Sequence, residues 1–341
     1  MKRIKLGRTN LMVGKTAFGA LPIQRVDFDE AKLILQKAFD NGINFFDTAR
    51  GYSDSEAKIG NALHHVRQDI YLATKSLAKD SKGFFQDFET SLKNLRTDYI
   101  DIIQLHNPEF IPDSEDTEGR YNSMLKAKEK GIVRFIGITS HKLNNAINAA
   151  ESGLYDTVQF PLSSISSNGD LKIIEVCRKN DIGLIAMKAL SGGLITNAST
   201  SFAFLRQFEN VVPIWGIQRE RELDEFLELE KNPPSLNENM LEIIRRDKEE
   251  LSGTFCRGCG YCLPCPAQIP IPMAARMSLL LRRAPYKSFL TDEWRTNMER
   301  IKNCSDCNHC KDHCPYRLDT PSLLKIMLDD YQKFYMERHS K

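Results

Sequence analysis

The chain has 341 residues, of which 41% are hydrophobic and 27% are charged, and this balance excludes a disordered polymer. A net charge of +2 does not favour nucleic-acid binding. No uncharged apolar run reaches the ~18 residues that a membrane span needs. The first ten residues are rich in charge and no apolar segment follows them, so we expect no secretory signal and a cytoplasmic location.

Charge and cysteine are unevenly distributed along the chain. Residues 253–341 have 14 basic and 9 acidic side chains, a net charge of +5, whereas residues 1–252 have a net charge of −3. The same C-terminal segment contains eight of the nine cysteines. Disulfide scaffolds are typical of short secreted chains, whereas clustered thiols in a cytoplasmic protein more often bind metal. The distribution therefore predicts a metal-binding region after residue 252.

Short apolar runs alternate with helical patterns over the first 230 residues, at a spacing of roughly 30 residues, the length of one strand–helix unit. The runs begin near Thr16, Ile43, Ile70, Ile100, Ile132, Thr157, Gly183 and Val211. Eight such units predict an α/β fold, a closed (β/α)₈ TIM barrel. The alternative, an open doubly wound sheet, is disfavoured by the count of eight and because no GxGxxG follows an early strand.

Capping residues mark several of the predicted helices. Asp29 is placed to cap the first helix, and Ser53 with Glu56 has the spacing of a capping box. Gly131 and Gly153 stand where C-terminal glycines are expected.

The alternating pattern ends at the breaker 232–234, Asn-Pro-Pro. A helix is predicted from Asn237 to Ser252, ending at Gly253. We therefore expect a barrel domain over residues 1–250 and a small, mostly helical, cysteine-rich domain over residues 251–341.

Four polar residues stand at or just after the ends of neighbouring predicted strands. These are Asp47, Tyr52, Lys75 and His106. Active sites of (β/α)₈ barrels lie at the C-terminal ends of the strands, so the four are expected to converge. The alternative for each one alone is a solvated rim residue or half of an ion pair.

The residue types indicate a tyrosine, Tyr52, whose pKa is shifted by its neighbours. A tyrosine with a pKa near ~10 is a weak acid at neutral pH, and a nearby ammonium stabilises the phenolate. Lys75 would therefore lower the pKa of Tyr52, Asp47 would orient Lys75, and His106 would hydrogen-bond a substrate carbonyl. Together they would deliver a proton to a carbonyl oxygen as hydride reaches its carbon.

At this point the sequence resembles the aldo-keto reductase family. The segments that resemble it are FDTARGYSDSE (46–56), LATK (72–75), LHNPE (105–109), GITSH (137–141), VQFP (158–161) and MKALSGG (187–193). The resemblance implies a (β/α)₈ fold, a nicotinamide cofactor bound without a Rossmann motif, and Tyr52 as general acid.

The same resemblance implies how the cofactor is bound. Ser140 and Gln159 would hold the nicotinamide carboxamide, and Ser191, Gly192 and Gly193 would approach the pyrophosphate. The further cofactor-binding residues that it implies are His141, Lys188, Gly216, Gln218 and Arg219.

Two positions of the sequence bear on whether the cofactor is NADP(H) or NAD(H). His141 stands where many relatives have Asn, and 216–218 (Gly-Ile-Gln) lacks the basic residue that many relatives use for the 2′-phosphate. Arg219 and Arg221 are possible substitutes. NADP(H) is preferred on this basis, with NAD(H) as the alternative.

Two cysteine runs follow. Cys256, Cys259, Cys262 and Cys265 read CxxCxxCxxCP, and Cys304, Cys307, Cys310 and Cys314 read CxxCxxCxxxCP. The second is the bacterial ferredoxin run, in which the fourth cysteine ligates the other cluster of a pair. The first run is one residue shorter, so its fourth ligand is open. The runs predict two [4Fe–4S] clusters in a ferredoxin-like extension, with two Cys₄ zinc sites as the alternative.

The combination supports two classes of function. The preferred one is an NAD(P)H-dependent oxidoreductase that reduces a small-molecule aldehyde, ketone or quinone. The alternative is an electron-transfer or redox-sensing protein that uses the barrel as a nicotinamide-binding module and exchanges electrons with a redox protein partner.

Overall fold

The predicted apolar runs form eight parallel strands that close into a barrel. The computed structural model describes residues 1–251, 255–283 and 285–339. The strands in these ranges are β1 Arg3–Lys5, β2 Met12–Gly14, β3 Ala17–Gly19, β4 Phe45–Asp47, β5 Tyr71–Ser76, β6 Ile100–His106, β7 Val133–Thr139, β8 Thr157–Pro161, β9 Gly183–Met187 and β10 Val211–Gly216. Around the barrel the order is β10-β3-β4-β5-β6-β7-β8-β9, with every neighbouring pair parallel. The (β/α)₈ prediction is confirmed.

Helices follow the barrel strands and continue beyond them. They are α1 Phe28–Asp40, α2 Ser55–Leu63, α3 Ser81–Leu95, α4 Arg120–Glu129, α5 Leu143–Glu151, α6 Asn168–Lys179, α7 Ala198–Arg206, α8 Glu220–Lys231, α9 Glu238–Glu250, α10 Ile271–Ala274, α11 Met277–Arg283, α12 Asp292–Glu299, α13 His309–Asp312 and α14 Thr320–His339. None of the helices in the described ranges is long and apolar enough to span a bilayer.

An N-terminal hairpin closes the end of the barrel at which the strands begin. β1 and β2 pair antiparallel, an element that the sequence analysis does not predict. Leu6, Leu11 and Val13 are buried in one cluster with inward-facing barrel side chains. A Cβ atom on Gly7 would lie 2.2 Å from the amide nitrogen of Gly183, so only glycine permits this close approach. The opposite end, where the strands terminate, is the one at which barrel enzymes place their active sites.

Two predicted caps are wrong. The cap of α1 is Asp27, whose side chain accepts from the amide of Glu30, and Asp29 lies within the first turn. The predicted capping box of Ser53 and Glu56 is absent. The N-cap of α2 is Asp54, which makes no side-chain cap bond, and Glu56 is buried and accepts from Thr74 and other side chains.

The C-terminal glycines and the late helix agree better with prediction. Gly131 and Gly153 have φ of +71° and +75°, the left-handed conformation expected just after a helix. The predicted helix that begins at Asn237 is α9, and its predicted end at Ser252 and Gly253 lies outside the described residues.

The chain folds into two compact units. The first contains Met1–Ala189 and Ala198–Met240, and the second contains Leu190–Asn197 and Leu241–Lys341. The loop Leu190–Asn197 and most of α9 therefore group with the cysteine-rich region, although both precede residue 250. The domain boundary near residue 250 stays a prediction.

Candidate active site and cysteine centres

The four polar residues predicted to converge do lie together in the barrel unit. Asp47, Lys75 and His106 stand at or near the C-terminal ends of β4, β5 and β6, three strands that are neighbours in the barrel. Tyr52 lies in the turn before α2, where its amide donates to Ala49 O at 3.0 Å. The strand order thus explains why residues far apart in sequence share one site.

Asp47 and Lys75 form a buried ion pair. Lys75 Nζ lies 2.6 Å from Asp47 Oδ2 and also donates to the carbonyl oxygen of Thr48 at 2.6 Å. Burial raises the pKa of Asp47 and lowers that of Lys75, and their mutual attraction opposes both shifts. The ammonium group of Lys75 is therefore paired with this carboxylate and hydrogen-bonded to a backbone carbonyl.

Tyr52 is held between Lys75 and His106. Lys75 Nζ lies 5.2 Å from the centroid of the phenol ring, and the imidazole of His106 meets that ring edge-on at a centroid distance of 5.7 Å. Burial, and secondarily the carboxylate of Asp47, raise the pKa of Tyr52 above its ordinary value. The prediction that Lys75 lowers this pKa is therefore wrong, because burial raises it and the carboxylate of Asp47 adds to that effect.

His106 is held as a neutral imidazole. Burial, with the nearby ammonium groups of Lys75 and Lys188, lowers the pKa of His106 to about 3. A neutral imidazole retains one N–H donor and one acceptor nitrogen. His106 is thus suited to hydrogen-bond a substrate and unsuited to supply a positive charge at neutral pH.

Gln104 belongs to the same group, although the sequence analysis does not identify it. It is buried on β6, and its Nε2 donates to Asp47 Oδ1 at 3.3 Å and to Gln159 Oε1 at 3.0 Å. It therefore connects the ion pair to a predicted cofactor-binding residue. The signal in the sequence was an amide between apolar neighbours, two residues before His106 in the strand IDIIQLH.

Three of the predicted cofactor-binding residues lie beside this group. Ser140 follows β7 directly, and its amide donates to the carbonyl oxygen of Gln159 on β8 at 3.0 Å. His141 is buried, and its amide donates to Asn107 Oδ1 at 3.0 Å. The adjacent ends of β7 and β8 thus bring the hydroxyl of Ser140 and the amide of Gln159 together. A carboxamide ligand could hydrogen-bond to both groups.

The other predicted barrel residues lie after β9 and β10. Lys188 has a left-handed φ of +56°. Gln218 and Arg219 precede α8, and both amides donate to Glu222 Oε2, at 2.8 and 3.1 Å. Gly216 is the last residue of β10 and is exposed. A carboxylate therefore occupies the N-terminus of α8, where the sequence analysis considers a 2′-phosphate contact.

The predicted pyrophosphate turn belongs to the second unit. Ser191, Gly192 and Gly193 have φ of +48°, +69° and +91°, three consecutive left-handed residues. Turns with unusual backbone dihedrals can present successive amide groups to an anion. The local backbone is therefore compatible with the predicted phosphate contact.

The eight cysteines of the second unit line two adjacent cavities. One cavity is lined by Cys304, Cys307 and Cys310 together with Cys265, and the other by Cys256, Cys259 and Cys262 together with Cys314. Each cavity thus has all of the first three cysteines of one run and the last cysteine of the other. Cys262 and Cys310 also border both cavities.

The thiols interact electrostatically with one another. Burial, then Cys256 and Cys259, raise the pKa of Cys262 to about 12. Within the described ranges, no three histidine, cysteine or acidic side chains converge closely enough to hold one metal ion. The ninth cysteine, Cys177, is fully buried in α6 and is a thiol of the protein core.

Comparison with known families agrees with both parts of this description. Residues 10–227 match the model of the aldo/keto reductase family, and residues 255–319 match the model of a 4Fe-4S dicluster domain. L-galactose dehydrogenase of Arabidopsis thaliana is 31% identical over 211 residues, which cover 56% of this chain and 66% of that protein. The chain therefore spans just under two thirds of that relative's length.

Solved structures share the barrel fold. An aldo-keto reductase of Bacillus halodurans in its holo form has a TM-score of 0.62 and 19% identity, over 72% of this chain and 96% of that one. An aldo-keto reductase of Klebsiella pneumoniae in complex with NADPH has a TM-score of 0.62 and 18% identity, over 72% and 94%. Together, the barrel, its strand-end residues and the family match show that the chain belongs to the aldo/keto reductase family of oxidoreductases.

Proposed function

We propose that the protein reduces a carbonyl compound, an aldehyde, ketone or quinone, with a nicotinamide cofactor and with Tyr52 as general acid. The observation that carries this proposal is the placement of Tyr52 against the buried Asp47–Lys75 pair and a neutral His106, at the barrel end that bears active sites. The barrel domain of residues 1–250 would perform this reaction, and the domain of residues 251–341 would hold the clusters.

The site residues have complementary roles in this reaction. Reduced nicotinamide, when bound, supplies the hydride that adds to the carbonyl carbon. Tyr52 donates its phenolic proton to the carbonyl oxygen, which completes the alcohol. The phenol is protonated at neutral pH, and its raised pKa makes it a weaker acid, so proton release depends on the negative charge that develops on the carbonyl oxygen as hydride arrives. His106 donates its N–H to the same oxygen and orients it, and Lys75 stabilises the phenolate that remains.

The barrel residues beside Gln159 would orient the cofactor. Ser140 and Gln159 would hold the carboxamide, and Gln104 fixes the Gln159 amide through its 3.0 Å hydrogen bond. A fixed carboxamide presents one ring face to the substrate, which is the positioning that hydride transfer requires. Ser191, Gly192 and Gly193 would approach the pyrophosphate.

NADP(H) is the proposed cofactor, with NAD(H) as the alternative. The NADPH complex of the Klebsiella pneumoniae enzyme, which shares the fold, supports this assignment. Arg25 supplies a cation near Gln218, since its Nη1 lies 3.5 Å from Gln218 Oε1. Glu222 opposes it, because its carboxylate accepts from the amides of Gln218 and Arg219.

Two [4Fe–4S] clusters are the proposed metal centres. Four thiolates are the donor set of such a cluster, and each run places its last cysteine, Cys265 or Cys314, in the cavity of the other run, which matches the ferredoxin pattern. Cys314 would thus be the fourth ligand of the first run's cluster. Two Cys₄ zinc sites are the alternative, since four thiolates are also a donor set for structural zinc.

The experiment that tests the reductase proposal compares Tyr52→Phe with Tyr121→Phe. Tyr121 is buried and its hydroxyl donates to Leu154 O, so this variant controls for loss of a phenol elsewhere in the barrel. NADPH oxidation is measured anaerobically with a panel of aldehydes, dicarbonyls and quinones. We expect turnover by wild type and Tyr121→Phe, and a loss of about 10²-fold or more in Tyr52→Phe with NADPH binding retained. Equal turnover by Tyr52→Phe would refute the assignment.

One observation favours the electron-transfer alternative. Cys307 is exposed, so the second cysteine run reaches the surface at which a redox protein partner could dock. A cluster accepts one electron whereas nicotinamide releases two as hydride, so the pair of electrons must be divided, either within this protein or by a flavin-bearing partner. Bleaching of the cluster absorbance by NADPH in the isolated, flavin-free protein would favour electron transfer over the reductase proposal.

A further inference from the structure

Arg276 connects the first cysteine run to the turn proposed to bind pyrophosphate. It precedes α11, is 6% exposed, and belongs with the loop Leu190–Asn197 to the second unit. Its Nη1 donates to the carbonyl oxygen of Gly192 at 2.9 Å, and its Nη2 lies 3.3 Å from Met273 Sδ. A long cationic side chain is rarely so buried unless its head group has a specific structural task.

Two glycines make room for the guanidinium group. A Cβ atom on Gly192 would lie 2.7 Å from Nη1 of Arg276, and a Cβ atom on Gly258 would lie 3.0 Å from its Cζ. Both glycines also have left-handed φ, +69° and +63°. The guanidinium group is therefore packed against the turn through Gly192 and against the first cysteine run through Gly258.

The contact continues to a proposed cluster ligand. The amide of Gly258 lies 3.4 Å from the Sγ atom of Cys256. A displacement of Gly258 would thus change its contact with this thiolate and its contact with the guanidinium group. Arg283 also reaches the loop, donating to Leu194 O at 2.9 Å, but its other partners are Asp247 and Glu250.

We propose that Arg276 is a positioning residue that couples dinucleotide binding to the first cluster, by fixing the Ser191–Gly193 turn against the first cysteine run. This inference rests on the proposed function. Coupling between two sites is reciprocal. The first cluster therefore changes the free energy of dinucleotide binding, and the bound dinucleotide changes the stability of the first cluster by the same amount. The planar shape of the guanidinium group is required, because it fills a space bounded by two glycines.

The test compares Arg276→Met and Arg276→Lys with Arg282→Met in the cluster-loaded, full-length protein. Arg282 belongs to the same helix region, but its partner is Asp330 and it is half exposed, so it controls for loss of an arginine. We expect both Arg276 variants to raise the dissociation constant for NADPH about tenfold, within the usual range of coupling, and Arg282→Met to leave it within twofold. The KM for NADPH should rise while the KM for the carbonyl substrate stays unchanged.

A spectroscopic readout separates coupling from simple loss of affinity. Saturating NADP⁺ should shift the electron paramagnetic resonance signal of the first cluster in wild type and in Arg282→Met, and should not shift it in Arg276→Met. Gly258→Ala, which retains the arginine and displaces its guanidinium group, should behave as Arg276→Met does and provides a second variant.

Three outcomes would overturn the inference. Unchanged NADPH affinity and an unchanged cluster shift in Arg276→Met would refute it while leaving the proposed function intact. Full affinity in Arg276→Lys would show that positive charge alone suffices, and would refute the positioning role. Failure of wild type to bind either NADPH or NADH would refute the proposed function and this inference together.

Discussion

The buried carboxylate of Asp47 lies 2.6 Å from the ammonium group of Lys75, and the two residues are 2% and 1% exposed. The pair accounts for two properties of the site. It keeps a charged lysine beside Tyr52 in a region that would otherwise favour neutral groups, and its carboxylate adds to burial in raising the pKa of the phenol. Both properties depend on the two charges remaining together.

Asp47→Asn removes the partner of a buried ammonium. We expect a loss of about 3–5 kcal/mol in the free energy of unfolding, together with a large loss of kcat, because Lys75 is left with an uncompensated charge. Adding Lys75→Met to this variant should restore part of the stability and none of the activity. Chemical denaturation and anaerobic steady-state kinetics measure the two effects. A stable, active Asp47→Asn protein would contradict the role of the pair.

Asp101→Asn provides the matched control for stability without catalysis. Asp101 is fully buried near the start of β6 and accepts from Arg67, Arg134 and the amide of Leu72. Because it lies at the strand end opposite the active site, we expect a loss of about 3 kcal/mol in unfolding free energy with kcat unchanged below the melting temperature. A loss of kcat equal to that of Asp47→Asn would show that both effects reflect instability alone.

The lowered pKa of His106 predicts a pH dependence of stability. The folded pKa is about 3 and the ordinary value is near ~6.5, so below pH ~6.5 the unfolded chain binds a proton that the folded chain does not. This contribution to stability is complete above pH ~6.5 and falls by up to ~1.4 kcal/mol per pH unit as pH decreases toward 3.

The measurement compares wild type with His106→Gln between pH 5 and pH 7.5. Unfolding is followed by the fluorescence of buried Trp215 in a Trp294→Phe background, so that the signal reports the barrel. The stability advantage of wild type over His106→Gln should shrink as pH falls. A pH-independent difference would show that His106 titrates near its ordinary pKa.

Gln104→Met tests the residue that the sequence analysis did not identify. The substitution retains the volume of the side chain and removes its hydrogen bonds to Asp47 and Gln159. We expect the dissociation constant for NADPH to rise about tenfold, because Gln159 loses the partner that orients it, a cost of the order of one buried hydrogen bond. Fluorescence titration measures the affinity. Unchanged affinity would remove Gln104 from the cofactor site.

The exchanged cysteines predict which cluster each variant loses. Cys265→Ser should affect the same electron paramagnetic resonance signal as Cys307→Ser, and Cys314→Ser the same signal as Cys259→Ser. The reason is that each fourth cysteine lines the cavity of the other run. Spectra and iron content of the four variants provide the test. If Cys265→Ser instead matched Cys259→Ser, each run would hold its own cluster.

Arg25 and Glu222 predict opposite effects on the choice of cofactor. Arg25→Ala should lower kcat/KM for NADPH several-fold more than that for NADH, because it removes a cation beside Gln218. Glu222→Gln should do the reverse, because it removes a carboxylate that would repel a 2′-phosphate. Kinetics with both cofactors measure the ratio. Equal changes with NADPH and NADH would place the adenosine phosphate elsewhere.

The barrel and most of the candidate site could be predicted from the sequence because their signals are local. Eight apolar runs at regular spacing specify parallel strands, and the polar residues that end those strands must meet at one rim of the barrel. Asp47, Lys75 and His106 were found in this way. The cysteine runs are equally local, because their spacing alone indicates clusters.

Other features depend on contacts between distant segments. The sequence places Asp47 and Lys75 near Tyr52, but only the structure shows that burial, together with Asp47, raises the pKa of the phenol instead of lowering it. Gln104 is one polar residue between apolar neighbours in the sequence, and only the structure shows that its amide donates to Asp47 and to Gln159. The exchange of Cys265 and Cys314 and the packing of Arg276 on Gly192 likewise join segments that are separate in the chain. Periodicity and spacing thus determine elements and residue types, whereas the charge state and partners of each side chain depend on what tertiary packing brings within a few ångströms.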